Sequence, residues 1–143
     1  MGQRFYRVVE SPRFLERLEV AEPSFVAILL EQALKGGAGV AVSAVVAFEL
    51  WYGAAKNSRR QANRQRLETF FAGPLGLVPF DDEDSRAADE VRAALESTGT
   101  PIGAYDLLIA GQVLRYDATL VTVNATEFSR VSELRWEDWA SPI

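Results

Sequence analysis

The sequence predicts an α/β fold in which a mainly parallel sheet is covered by helices on both sides. Two observations predict this class. Short apolar segments alternate with helical patterns along the chain, and the segment Ala118–Val123 is almost wholly apolar. Such a strand is typical of a sheet that is buried on both faces. A chain of 143 residues is long enough for one core, so we expect a single domain over residues 1–143.

The strands are predicted from short apolar runs that end at polar or turn-forming residues. In parallel sheets, ligands gather beyond the carboxyl ends of the strands. Polar residues that follow a strand are therefore candidates for a site. The predicted strands are Arg4–Val9, Gly39–Val42, Leu75–Phe80, Ala118–Val123 and Leu134–Trp136.

The helices are predicted from apolar periodicity and from residues that favour helix ends. Phe25–Leu34 is an apolar helical stretch that we assign to core packing, with a dimer seam or a groove for a partner helix as the alternative. The other predicted helices run from the cap Ser43 to about Lys56, from the cap Ser58 through Phe71, from Asp81 with Asp84 to Gly99, and from the loop 100–103 to about Tyr116.

The composition excludes several kinds of chemistry. The chain has no cysteine and no histidine, which rules out disulfides, thiolate zinc sites and all histidine-based catalytic or metal sites. A metal would have to be bound by oxygen atoms, which favours Mg²⁺ or Mn²⁺. The net charge is −5, so a nucleic-acid partner would need a local basic patch. The absence of cysteine, of a signal peptide pattern and of a membrane-length apolar run leads us to expect a cytoplasmic protein.

Two acidic residues stand in apolar surroundings. Glu49 is the only charged residue in Ser43–Ala55, and its helical neighbours offer no ion-pair partner. Asp106 is the only charged residue between Glu96 and Arg115. A buried, unpaired carboxylate is costly, so each residue needs a cation, a proton or a water-filled cleft. Each residue can be explained alone, but two such acids together are harder to explain without a functional site.

Structural explanations compete with this interpretation. Asp106 falls in the first turn of its predicted helix, where the helix dipole favours an acid. Glu49 lies deeper in its helix, and a salt bridge to a distant arginine is the main structural alternative. The acidic cluster from Asp81 to Asp84 is explained by the start of a helix and is not a candidate site.

Weaker candidates lie at the strand ends. Asn124 follows the fourth strand with Thr122 close by, although asparagine is also common in turns. Glu10 follows the first strand and precedes Ser11, and spacing alone favours a solvated residue at a helix entry.

A basic segment follows the Glu49 helix. Lys56–Arg66 contains no acid, and its positive charge could lead a nucleic-acid backbone toward a metal site. The alternative is a solvated helix face, and both readings stay open. The basic residues are Lys56, Arg59, Arg60, Arg64 and Arg66, of which Arg59, Arg60 and Arg64 are the candidates for RNA binding.

Three stretches resemble the VapC family, the PIN-domain toxins of bacterial toxin–antitoxin pairs. They are VAVSAVVAFELWYGAAK (40–56), GTPIGAYDLLIAGQVL (99–114) and ATLVTVNATEFSRVSELRWEDW (118–139). The resemblance implies a three-layer α/β/α PIN-like fold with a central, mainly parallel sheet. It also implies a Mg²⁺-dependent ribonuclease that acts through metal-activated water, forms a homodimer and is blocked by a cognate antitoxin protein. Glu49 and Asp106 match two of the family's acids, and Asn124 matches a position that is usually aspartate and often asparagine.

The N-terminus departs from the family pattern. The family's first strand normally ends in L-D-T-N, whose aspartate is a metal ligand, whereas the nearest equivalent here is Val9-Glu10-Ser11-Pro12. Glutamate is one methylene longer, and Mg²⁺ tolerates poor geometry badly. Two functions therefore stay open: a ribonuclease with Glu10 as a secondary ligand, and a catalytically impaired PIN-like module that binds RNA or a protein partner. A phosphate- or nucleotide-binding protein is disfavoured, because the glycines of 36–39 precede a strand and no lysine follows them.

Overall fold

The computed structural model describes residues 7–9, 40–56, 58–72, 76–122 and 125–137. Strands and helices alternate through these ranges, which confirms the predicted α/β class. Two candidate site residues, Glu10 and Asn124, lie outside the described residues, and so does the predicted helix Phe25–Leu34.

Ten elements fall within the described ranges. The strands are β1 (Arg7–Val9), β2 (Val40–Ser43), β3 (Gly76–Val78), β4 (Thr119–Val121) and β5 (Arg135–Glu137). The helices are α1 (Ala44–Ala55), α2 (Arg60–Phe71), α3 (Asp82–Ser97), α4 (Ala104–Arg115) and α5 (Ala125–Phe128). None of the helices described here combines the length and the apolar character that a membrane span requires.

The strands form one parallel sheet in the order β3-β2-β1-β4-β5. At the centre, Val9 of β1 is level with Val42 of β2 on one side and with Val121 of β4 on the other. The carboxyl ends of these three strands therefore lie side by side. This edge is where ligands bind in parallel α/β sheets.

Polar caps start two helices as the sequence predicts. The Ser43 hydroxyl accepts a hydrogen bond from the Val45 N–H at 3.1 Å and begins α1. Asp81 and Asp84 form a reciprocal capping box at the start of α3, with hydrogen bonds of 2.9 and 3.1 Å. The prediction for α2 is less accurate, since this helix begins at Arg60 rather than directly after Ser58.

Helices α3 and α4 pack with their backbones in close contact. Gly111 of α4 is buried, and a Cβ atom at this position would lie 2.4 Å from the backbone nitrogen of Ala88 in α3. Only glycine allows this approach, which holds the α3–α4 pair against the apolar core. The core includes Val42, Val46, Leu50, Val91, Ile109, Val113, Leu120 and Phe128.

A buried ion pair also joins these two helices. Asp84 is fully buried and accepts hydrogen bonds from Arg115 Nη1 at 2.8 Å and from Gln112 Nε2 at 3.1 Å. Arg115 also pairs with Asp81 at 2.7 Å and with Glu83 at 3.0 Å. The acidic cluster at the start of α3 is therefore occupied by structural contacts, as the sequence interpretation expected.

Candidate active site

Glu49 lies in the middle of α1, between the buried and the exposed sides of the helix. Val46 and Leu50 are in the core, whereas Phe48 and Tyr52 are exposed and Glu49 is partly buried. This burial raises the pKa of the Glu49 carboxyl. Within the described residues no lysine or arginine forms an ion pair with Glu49. The described part of the chain thus provides no salt bridge to explain the position of this carboxylate.

Asp106 lies in the first turn of α4, which begins at Gly103 without a side-chain cap. A Cβ atom placed on Gly103 would lie 3.7 Å from Asp106 Oδ2 and 3.9 Å from Glu127 Oε2. Two carboxylates therefore border the same backbone position, at the positive end of the α4 dipole.

Glu127 is a carboxylate that the sequence interpretation missed. It lies in α5, the short helix after β4, and it is partly buried. The sequence did carry a signal, because Glu127 comes three residues after Asn124, shortly after the predicted strand Ala118–Val123. The short helix α5 was not among the predicted helices. Because ligands bind beyond the carboxyl ends of parallel strands, an acid a few residues after a strand is a candidate ligand, as is the residue directly after the strand.

Helices α1 and α4 meet through two aromatic rings. The centroids of Phe48 and Tyr105 are 6.1 Å apart, and the rings are tilted by 54°. Each ring belongs to the residue directly before a candidate acid, Glu49 in one helix and Asp106 in the other. This contact brings the two segments that carry these acids together, although they are far apart in the sequence.

The remaining predicted positions belong to the strand ends. Thr122 is fully buried, and its N–H donates a hydrogen bond to the Glu137 carbonyl at 3.0 Å. Glu10 directly follows β1, the central strand, and Asn124 follows β4. The structure does not describe Glu10 or Asn124, so both stay predictions as site residues.

The chemistry of the donors suits a hard cation. Glu49, Asp106 and Glu127 offer carboxylate oxygens, the ligands that Mg²⁺ and Mn²⁺ prefer. In the described ranges, no group of three or more acidic side chains is arranged to hold a metal ion. Glu10 and Asn124, the candidate donors beyond these ranges, stay predictions.

The predicted RNA-binding residues follow the end of α1: Arg59 directly precedes α2, and Arg60 and Arg64 belong to α2. Arg59, Arg60 and Arg64 are all exposed, as is Lys56. Arg60 has a structural contact as well, because its Nε donates to the Ala55 carbonyl at 3.0 Å. The basic segment therefore offers charge to solvent beside the helix that carries Glu49.

Comparisons with known proteins identify the family that this sequence resembles. The sequence profile of the PIN domain family matches residues 17–134. Ribonuclease VapC2 of Rickettsia felis is 37% identical over 100 residues, which cover 70% of this chain and 74% of the relative. The tRNA(fMet)-specific endonuclease VapC of Salmonella typhimurium is 35% identical over 98 residues, which cover 68% and 74%.

Solved structures extend the likeness to the fold. In the crystal structure of VapBC2 from Rickettsia felis bound to a DNA fragment from its promoter, one chain superposes with a TM-score of 0.84 at 31% identity. The superposition covers 93% of this chain and 98% of that one. The three-layer α/β/α fold predicted from the resemblance is thereby confirmed.

Proposed function

This chain belongs to the VapC group of the PIN-domain family, and on that premise we propose that it is the ribonuclease toxin of a toxin–antitoxin pair. In this proposal it hydrolyses RNA phosphodiesters with Mg²⁺, and Mn²⁺ can replace that ion. The observation that carries the proposal is the contact between Phe48 and Tyr105, beside Glu49 and Asp106. It supports a shared site for two acids that the sequence separates by more than fifty residues.

Each site residue is proposed to have a role that depends on its position. Glu49 and Asp106 would be the principal ligands of the ion, and Glu10, Asn124 and Glu127 would complete its surroundings. When bound, Mg²⁺ lowers the pKa of a coordinated water and stabilises negative charge on the leaving oxygen. Thr122 is suited to orienting neighbouring groups, because it is buried at the end of β4.

RNA cleavage with and without a divalent ion tests this function. We expect cleavage in Mg²⁺ or Mn²⁺ and none in excess EDTA. The products should carry 5′-phosphate and 3′-hydroxyl ends, because a metal-activated water rather than the RNA 2′-hydroxyl would attack the phosphorus. Glu10→Ala should lower the cleavage rate in the same assay, since Glu10 would supply a ligand.

A different outcome would favour the second candidate. Wild-type protein that binds RNA or an antitoxin but cleaves no RNA in either ion would be a catalytically impaired PIN-like module. The sequence feature that keeps this candidate open is Glu10 in place of the family's aspartate.

The proposed partners follow from the same family. Structural neighbours include VapBC complexes, which supports a cognate antitoxin protein as a partner. We propose in addition that this antitoxin blocks the active site. A homodimer and a cytoplasmic location are part of the proposal as well.

The basic segment is proposed to bind the RNA backbone. Changing Arg59 and Arg60 to glutamine should reduce the slope of log affinity against log salt by about 1.4, because each phosphate contact on a single strand contributes roughly 0.7. The matched control changes Arg86 and Arg92 of α3, two exposed arginines that pair with acids of their own helix. An unchanged slope in the Arg59 and Arg60 variant would remove this segment from the proposed RNA path.

A further inference from the structure

The start of α4 has no side-chain cap, although this helix carries Asp106, one of the two principal acids. Its N-cap residue is Gly103, which has no side chain to accept a hydrogen bond from the first N–H groups of the helix. The Leu107 N–H closes the first turn by donating to the Gly103 carbonyl at 3.0 Å. The position of Asp106 therefore depends on what holds the loop 98–103 that leads into α4.

Contacts with α3 and with the core hold most of this loop. The Thr100 N–H donates to the Leu95 carbonyl at 2.9 Å, and the hydroxyl oxygens of Thr98 and Thr100 are 2.8 Å apart. Ile102 is buried in the core. Pro101 lies between Thr100 and Ile102 and is exposed, so its carbonyl is open to a contact from another segment of the chain.

That contact comes from Arg130, in the turn that follows α5. Its Nη1 donates to the Pro101 carbonyl at 3.0 Å. The turn is itself held in place, because the Arg130 N–H donates to the Glu127 carbonyl at 3.1 Å and the side chain of Phe128 is fully buried. Within the described residues, no acid forms an ion pair with Arg130. Its guanidinium is therefore used to hold a backbone carbonyl of the loop before α4.

We propose that Arg130 is a positioning residue for the proposed metal site. Its hydrogen bond to the Pro101 carbonyl fixes the start of α4 and thereby sets the carboxylate of Asp106 relative to that of Glu127. The inference rests on the proposed ribonuclease function. It adds to that site a residue that acts through the backbone and does not bind the ion itself.

The geometry around Gly103 shows why this contact matters. The Asp106 and Glu127 carboxylates both border Gly103, which comes two residues after Pro101. Arg130 comes three residues after Glu127, so its hydrogen bond joins the segments that carry these two acids. Mg²⁺ requires nearly ideal octahedral geometry, and a small displacement of one ligand therefore weakens its binding. Replacing a residue that orients a metal ligand typically costs about 10- to 100-fold in metal affinity.

Arg130→Met tests this role, because methionine keeps an unbranched apolar side chain and removes every donor. In the metal-free protein, hydrogen exchange of the Leu107 amide should become roughly fivefold faster, since this N–H closes the first turn of α4. The affinity for Mn²⁺, measured by electron paramagnetic resonance without RNA, should fall by about tenfold. Arg130→Lys keeps a charged donor on a long side chain and should restore both quantities toward their wild-type values.

Arg135→Met is the matched control. The Arg135 Nη2 donates to the Asp117 carbonyl at 2.7 Å and pairs with the Asp117 carboxylate at 2.9 Å. Arg135 is thus also an exposed arginine that holds a backbone carbonyl, but at the opposite end of α4. Its replacement should change neither the exchange of the Leu107 amide nor the affinity for Mn²⁺. Equal effects of the two methionine variants would indicate a general loosening of the fold and would overturn the proposal.

The remaining outcomes separate this inference from the parent proposal. Wild-type affinity for Mn²⁺ in Arg130→Met would overturn the positioning role and leave the ribonuclease intact, whatever the exchange rate. If that variant also bound RNA more weakly in EDTA, Arg130 would be assigned to the substrate instead. A wild-type protein that binds no Mn²⁺ and cleaves no RNA would contradict the ribonuclease. In that case, faster exchange of the Leu107 amide in Arg130→Met would still support the hold on α4, and unchanged exchange would overturn it.

Discussion

Replacing Asp106 with asparagine should lower the rate of RNA cleavage by at least about 100-fold. The change keeps the size of the side chain and removes the negative charge that would bind the metal ion. If Asp106 served only to interact favourably with the helix dipole of α4, its replacement would lower the free energy of unfolding by about 0.3–1 kcal/mol. Cleavage would then be unchanged. Single-turnover cleavage and thermal unfolding, measured on the same preparation, distinguish these two roles.

Glu49→Gln extends this test to the other principal acid. We expect a comparable loss of cleavage without a loss of stability, because the amide needs no counter-charge in its partly buried position. Asp89→Asn is the matched control, since Asp89 is an exposed acid on α3. Full activity in either the Asp106 or the Glu49 variant would contradict the proposed site.

Replacing Asp84 with alanine should lower the free energy of unfolding by about 2–4 kcal/mol. The substitution leaves the Asp81 N–H without its acceptor and removes the buried partner of Arg115. Gln112 Nε2 loses one of its two acceptors and keeps the Pro79 carbonyl. Arg115 keeps its contacts with Asp81 and Glu83, which moderates the loss. Urea unfolding measures the change directly.

The neighbouring residue provides the control for Asp84. Asp82 pairs with Arg86 on the surface of α3, where the two side chains are 76% and 80% exposed. Asp82→Ala should change the free energy of unfolding by less than about 1 kcal/mol, because exposed ion pairs contribute little. If both variants lost the same free energy of unfolding, burial would not be the reason that the Asp84 ion pair stabilises the fold.

Local signals account for what could be predicted from the sequence. Ser43 and Asp81 cap their helices because short-range hydrogen bonds determine a helix start. Gly99 follows the end of α3 and has φ of +68°, a backbone conformation that glycine adopts without a steric cost. Alternating strands and helices were enough to predict a parallel sheet. These features depend on residues that are close together in the chain.

Contacts between distant segments could not be predicted in this way. Nothing in the sequence indicates that Arg115 reaches Asp84, or that Gly111 lies against the backbone of Ala88. The closeness of Glu127 to Gly103 is a contact of this kind, although the position of Glu127 shortly after a predicted strand was a local signal that could have been used. Glu49 and Asp106 were found because a charge in an apolar segment is visible without knowledge of its neighbours.

Diffraction from crystals soaked in Mn²⁺ tests the central claim most directly, because the anomalous signal locates the ion. We predict one ordered ion that contacts the carboxylates of Glu49 and Asp106, directly or through its waters. The account would be contradicted if no ion bound there and the two carboxylates faced separate surroundings, too far apart to share one.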